Sequence, residues 1–224
     1  MKISYNWLKW YVPEIPEAEK LADVFTMHLC EVEEVEKKDG DSIFDLKILP
    51  DRAHDLLSHH GIARELAEQL GIAFNDPTPK YKIPESKSTN LKIELQTENC
   101  RRYSGRIVRN IKVGPSPDWV KMHLESIGQR SINNIVDATN ITMYDCGQPC
   151  HAFDLDKLAS EKLIVRYAKT GEKITTLDNK ELVLKETDMV IADENNVLAI
   201  AGVKGGKIAE VDENTKNILI EVAN

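Results

Sequence analysis

The chain has 224 residues, a formal net charge of −8, 42% hydrophobic residues and 29% charged residues. That length can bury one large or two small cores, and the composition is that of a globular protein. The acidic balance argues against a free-standing protein that grips nucleic acid by bulk electrostatics, although local contacts stay open.

Taken in chain order, Ser4 is placed to cap a short helix carrying Trp7, Leu8 and Tyr11, which Pro13 stops. Pro16 opens a second helix with Leu21, Ala22, Phe25 and Leu29 at helical spacing. Val32 and Val35 then suggest a strand. Lys38-Asp39-Gly40-Asp41 is a turn signal, and Phe44, Leu46 and Ile48 alternate with polar residues, so a hairpin with one buried face is expected. Asp55 is expected to cap a helix whose stripe is Leu56, Ala63, Leu66, Ala67 and Leu70, with Gly71 as its stop. Residues 74–90, with three prolines and no period, read as a linker.

Beyond the linker, residues 91–95 alternate and Tyr103 to Val113 reads as one long strand. Ser116-Pro117-Asp118 has the pattern of a helix start for Trp119, Val120 and Leu124. The stretch SINNIVDATNITMYDCGQPCHAFDLD, residues 131–156, holds Asn133, Asn134, Asp137, Thr139, Asn140, Gln148 and His151 without a surface-helix charge pattern. Such an inventory reads as the rim of a pocket. Short strand-like runs follow, then the glycine-bearing AGVKGG, and residues 217–222 form a last apolar strand. The expected class is α+β: a small N-terminal helical domain with a β-hairpin (1–73), the linker (74–90) and a larger mixed domain (91–224). That last strand meets Asn224 with no turn or cap, so either a longer natural chain or another element covering the exposed edge is expected.

Cys30, Cys100, Cys146 and Cys150 are too scattered for a disulfide framework. Cys146, Cys150 and His151 lack a second Cys/His pair at zinc spacing. His59 and His60 point to different sides of a helix, so no metal is expected. Arg101, Arg102, Arg106, Arg109 and Lys112 have two readings: a local face for a phosphate backbone, or a solvated strand balanced by nearby acids. No apolar run is long enough to span a bilayer, and the N-terminus lacks a signal peptide's apolar centre; a cytoplasmic protein without membrane contact is expected.

One ordered set of motifs goes further. MKISYNWLKWYV, PDRAHDLLSHHGIARELA, RRYSGRIVRNIKVGPSPDWVKMHL, INNIVDATN…GQPCHAFD, VIADENNVLAIAGVKGG and NILIEVAN together resemble the bacterial-type beta subunit of phenylalanyl-tRNA synthetase over nearly the whole chain. Two departures stand out. The family's usual tRNA-binding insertion after the first hairpin is missing, with Glu36 to Ser42 only a tight turn, and so are its several hundred later residues. The chain thus resembles the N-terminal domain plus most of the editing domain.

The resemblance implies a ligase that charges tRNA(Phe), partnered by an alpha subunit in an α2β2 heterotetramer. ATP and magnesium serve the full synthetase, with no cofactor in this chain; the isolated piece is expected to be monomeric. The resemblance also implies hydrolysis of misattached tyrosine, since a pocket for an apolar ring rejects an added hydroxyl only about a hundredfold. His151 matches the editing histidine, with Thr139 and Asn140 organising the water and the terminal adenosine. Glu221 matches the residue that reads the tyrosine hydroxyl. Ala201, Gly202, Gly205 and Gly206 would supply the other wall, although Lys204 stands where the family is generally apolar. Two alternatives remain: a non-catalytic RNA- or partner-binding module, and a stand-alone trans-editing factor.

Overall fold

Ser4 sets the start of the first helix. In this computed structural model, which describes residues 1–77, 80, 82, 85 and 89–224, its Oγ accepts the Trp7 N–H at 3.0 Å. Part of the expected linker (residues 78, 79, 81, 83, 84 and 86–88) lies outside the described residues. The chain divides into two units: Met1–Glu85 with Ser116–Ile132 and Asp137–Gln148, and Ser86–Pro115 with Asn133–Val136 and Pro149–Asn224. This is not the single cut that the proline-rich stretch predicts. The segments 116–132 and 137–148 group with the N-terminal residues, because their apolar side chains, Ile127 and Ile141 among them, pack into the N-terminal core.

The first unit begins with strand β1 (Lys2–Ser4) and helices α1 (Tyr5–Tyr11) and α2 (Ala18–His28). The expected hairpin is β2 (Glu31–Lys38) and β3 (Asp41–Lys47), turned through Asp39 and Gly40, both at positive φ. Strand β1, too short to show in the sequence, pairs with β3 to give the order β1-β3-β2. Ile43, Phe44 and Leu46 of β3 are buried, whereas β2 is largely exposed.

After Pro50 the single expected helix is two: α3 (Ala53–Leu56) and α4 (His59–Leu70). Asp55 is not the cap; its carboxylate holds the Arg52 guanidinium at 2.7 Å. Ser58 caps α4 instead, accepting the Gly61 N–H at 2.9 Å. The break lets the chain fold back on itself so closely that a Cβ on Gly61 would stand 1.7 Å from the Asp55 carbonyl oxygen. Gly71 ends α4 in the left-handed conformation, as expected. Trp7, Leu8, Phe25, Phe44, Leu56, Ile62 and Leu66 form the core. Helix α5 (Asp118–Ser126) has Pro117 rather than Ser116 at its N-cap, with no side-chain cap bond. The Ser116 hydroxyl donates instead to Asp137 on α6 (Asn134–Cys146).

The second unit is mostly sheet. Strands β4 (Lys92–Leu95), β7 (Lys162–Tyr167), β10 (Met189–Ala192), β11 (Val197–Ile200) and β12 (Lys204–Gly205) form a sheet in the order β12-β11-β10-β7-β4. A second sheet, β5-β13-β6, is antiparallel throughout, from β5 (Tyr103–Arg109), β13 (Asn217–Ala223) and β6 (Cys150–Asp154). The remaining strands, β8 (Lys173–Thr175) and β9 (Glu181–Val183), make a hairpin. Strand β5 stops at Arg109, short of the expected Val113, because Asn110 turns into positive φ. One face of the three-stranded sheet, with Tyr103, Phe153 and Leu219, packs with Leu163, Val165, Ile191 and Leu198 of the five-stranded sheet. The opposite face carries Val108, Ala152, Ile218 and Ile220 in a separate cluster. Burial on both faces explains why β13 reads as a nearly continuous apolar run. The helices of one unit and the sheets of the other make the α+β class expected from the sequence.

Candidate functional site

Glu221 interrupts the apolar run of β13, and the ladder fixes what it meets. Residues directly opposite one another in an antiparallel pair share a face. Glu221 stands opposite His151 on β6 and Gly105 on β5. Tyr103, which pairs with Ala223 two residues further along, shares that face with them. The face is the one packed against the five-stranded sheet, so a carboxyl, an imidazole and a phenol all enter the intersheet core.

Their polar ends have different neighbours. The Glu221 carboxylate accepts a buried hydrogen bond from the Tyr103 hydroxyl. The imidazole of His151 lies edge-on to Phe153, with ring centres 4.7 Å apart. It also lies against the backbone of Gly205: a Cβ there would come within 3.0 Å of His151 Cε1, 3.2 Å of its Nε2 and 3.0 Å of Leu177 Cδ1. Gly105 serves the same end differently, since a side chain opposite Glu221 would meet Leu91 at 2.8 Å.

Burial governs the charge states. Glu221 is 9% exposed, and loss of water raises its pKa from 4.5 to about 7, opposed by the bond from Tyr103. Burial also lowers the His151 pKa, so its imidazole is neutral near pH 7. Burial first and Glu221 second push the Tyr103 hydroxyl well above the ordinary phenol range, so it stays a donor. The site therefore offers a carboxyl poised between its two forms and an imidazole free to accept a proton.

The other expected residues are distributed less favourably. Of the AGVKGG stretch, Gly205 lies against His151. Gly206 packs on the Leu198 carbonyl and Ile174, Gly202 turns at the tip with φ 69°, and the Ala201 N–H donates to Met189. Lys204 points to Asp178 at 3.8 Å and is half-exposed, away from the His151 side of the strand. Thr139 and Asn140 lie on α6 within the first unit, whereas His151, Glu221, Tyr103 and Gly205 all belong to the second.

The polar stretch around α6 looks different with its partners in place. Asn133 Oδ1 accepts from the N–H groups of Ile135 and Val136, capping the helix. Asn134 accepts from Gly114 N–H and donates to the Lys112 carbonyl. Asp137, fully buried, accepts from Ser116, Ser131 and the Ile132 N–H. These three build the start of a helix rather than a pocket rim. Conversely, Tyr103 and Gly105 were readable only as strand residues; the signal was their shared parity with Ile107, which needs the partner strand to acquire meaning.

The first unit has a cleft of about 790 Å³ lined by Trp10, Tyr11, His60, Arg64, Trp119 and Asp145 among others. Its Asp145 is engaged in packing, accepting from Trp7 Nε1 at 2.9 Å and Tyr11 Oη at 2.6 Å. Size alone does not make it the chemical site, because no buried acid and base converge there as they do around β13. Among the described residues, no group of three or more His, Cys, Asp or Glu side chains is placed to hold a metal, and no helix is long and apolar enough to cross a membrane.

Comparison with known proteins places the chain in a family. Residues 99–224 match the B3/4 domain family. The beta subunit of phenylalanine–tRNA ligase from Fusobacterium nucleatum is 46% identical over 186 residues, 82% of this chain and 23% of that protein. Its counterpart from Carboxydothermus hydrogenoformans is 44% identical over 212 residues, 94% of this chain and 25% of that protein. The Rhodopirellula baltica beta subunit is 38% identical across 100% of this chain and 33% of its own length. The chain thus spans 23% to 33% of the length of these curated relatives. An N-terminal fragment of the phenylalanyl-tRNA synthetase beta subunit from Pyrococcus horikoshii has the same fold, with a TM-score of 0.55 at 19% identity over 100% of this chain and 67% of that one. The chain belongs to the B3/4 domain family, in the form found in the N-terminal part of phenylalanine–tRNA ligase beta subunits.

Proposed function

We propose that the chain supplies the editing site of a phenylalanine–tRNA ligase beta subunit and hydrolyses tyrosyl-tRNA(Phe). The observation that carries this reading is the register of β13 with β6, which sets Glu221 directly opposite His151 in an otherwise apolar core. Glu221 reads the para-hydroxyl of tyrosine, which phenylalanine lacks. A buried acceptor built for a hydroxyl discriminates far more strongly than an apolar pocket that must exclude one.

His151 works at the ester end. Its neutral imidazole accepts a proton from water as the water oxygen attacks the ester carbonyl carbon. The bond from that carbon to the ribose oxygen then breaks, and the ribose oxygen takes the proton back. Gly205, lacking a Cβ, lets the imidazole seat directly against its backbone. In the full enzyme the partners are tRNA(Phe) and the alpha subunit, in an α2β2 heterotetramer of the cytoplasm. ATP and magnesium belong to its synthetic site, and no step here uses them.

Replacing His151 by Ala should slow tyrosyl-tRNA(Phe) hydrolysis by roughly 100-fold, the usual contribution of a positioned acid–base group. Unchanged single-turnover rates would remove His151 from the mechanism. A binding-module reading draws support from one feature, the half-exposed Trp10 and Trp119 at the cleft of the first unit. It predicts RNA retention that is indifferent to His151 and Glu221.

A further inference from the structure

Glu221 already has a phenol beside it. Tyr103 places its hydroxyl on Glu221 Oε2 across 118 residues of sequence, and both side chains are buried. We propose that Tyr103 is a positioning residue for tyrosine discrimination: its hydroxyl binds one oxygen of the Glu221 carboxylate and leaves the other, Oε1, as the acceptor for a substrate para-hydroxyl. This rests on the reading of Glu221 as the hydroxyl-recognising group.

Three features support it. Gly105 stands opposite Glu221 on β5 and presents no side chain of its own to the carboxyl, the space above it being filled by Leu91. A carboxylate has lone pairs on both oxygens, so one phenol donor does not block a second. Burial disfavours the charged carboxylate, and the Tyr103 hydrogen bond acts against that, leaving more of Glu221 in the acceptor form than burial alone would. The titratable groups around Glu221 are Tyr103 at the start of β5, Cys100 just before that strand, and His151 on β6. The facing sheet brings uncharged residues, Leu198, Ala199 and Gly205. Cys100 is held in its thiol form by burial, so Tyr103 is the neighbour that directly stabilises the anion.

The test is Tyr103→Phe in the intact chain, which keeps the ring and removes only the hydroxyl. In carboxyl-carbon NMR, with Glu221→Gln identifying the signal, the Glu221 midpoint should rise by about one pH unit. Tyrosyl-over-phenylalanyl selectivity in ester hydrolysis should fall about 5-fold at neutral pH, since a one-unit rise from about 7 cuts the ionised fraction from about a half to about a tenth. The selectivity should recover as the pH is raised. In a Glu221→Gln background the same substitution should leave selectivity unchanged. If Tyr103 only supports packing, both substrates slow together while the midpoint and the selectivity stay fixed, and that result overturns the proposal. A wild-type chain with no preference for tyrosyl-tRNA would instead refute the hydrolase reading of the site. A wild-type preference that survives Tyr103→Phe intact refutes only the role of Tyr103.

Discussion

Gly205 and His59 show how much a single position decides. Adding one methyl at Gly205 would press on the His151 ring and on Leu177, side chains that can each give by a few tenths of an ångström. Gly205→Ala is therefore expected to cost at most about 1 kcal/mol of stability but to slow tyrosyl-ester hydrolysis several-fold, a split read by urea denaturation alongside deacylation rates. A stability loss with unaltered kinetics would separate Gly205 from the site. In the first unit, His59 is fully buried, stacks on Trp7 with ring centres 3.9 Å apart, accepts the Ser4 N–H and donates Nδ1–H to the Tyr144 carbonyl. That bonding pattern requires the neutral ring, and burial lowers its pKa to about 3. The sequence placed one of the adjacent histidines inside, yet it could not say that the buried one joins three separate segments.

At the scale of elements, the sequence was most legible where a local rule acts alone. The Ser4 cap, the Asp39-Gly40 turn and the Gly71 stop depend on a few consecutive residues, and each stands where the pattern placed it. It was least legible where tertiary demand breaks a period, as between α3 and α4. There Ser58 and Gly61 override the apparent cap at Asp55, since the fold-back requires a residue without a Cβ. Removing the cap with Ser58→Ala should cost about 1 kcal/mol. Gly61→Ala forces a backbone clash and should cost about 3 kcal/mol or more. Urea denaturation of both variants checks the order; equal losses would mean the turn relaxes freely. The site itself was half legible for the same reason. Glu221 and His151 were singled out by the family resemblance, whereas Tyr103 and Gly105 acquire their proposed roles only from strand register.

For the molecule as a whole, two buried groups with shifts of opposite sense predict that its two units respond oppositely to acid. The folded-state pKa of His59 is depressed, so its contribution is present above pH 6.5 and lost as pH falls toward 3. The slope approaches about 1.4 kcal/mol per pH unit once the unfolded histidine is protonated. The folded-state pKa of Glu221 is raised, so its contribution is full below pH 4.5 and lost as pH rises through about 7, in total on the order of 3 kcal/mol. Between pH 7 and about 5, amides of α4 should therefore lose protection from hydrogen exchange while those of β13 gain it, after correction for intrinsic rates. Parallel changes in both units would contradict these assignments. That the residues group into these two units was hidden in the sequence, because the proline-rich stretch marks a break in the chain and not the return of residues 116–132 and 137–148 to the N-terminal core.

The central claim is that Glu221 and His151 face each other to read a hydroxyl at one end of a substrate and open an ester at the other. Single-turnover deacylation, with the chain in excess over tyrosyl-tRNA(Phe) or phenylalanyl-tRNA(Phe), tests it most directly when the wild type is compared with Glu221→Ala. The wild type should clear the tyrosyl ester far faster than the phenylalanyl ester, and Glu221→Ala should erase roughly 100-fold of that preference. Hydrolysis of neither ester above the uncatalysed rate, or a tyrosyl preference untouched by Glu221→Ala, would contradict it.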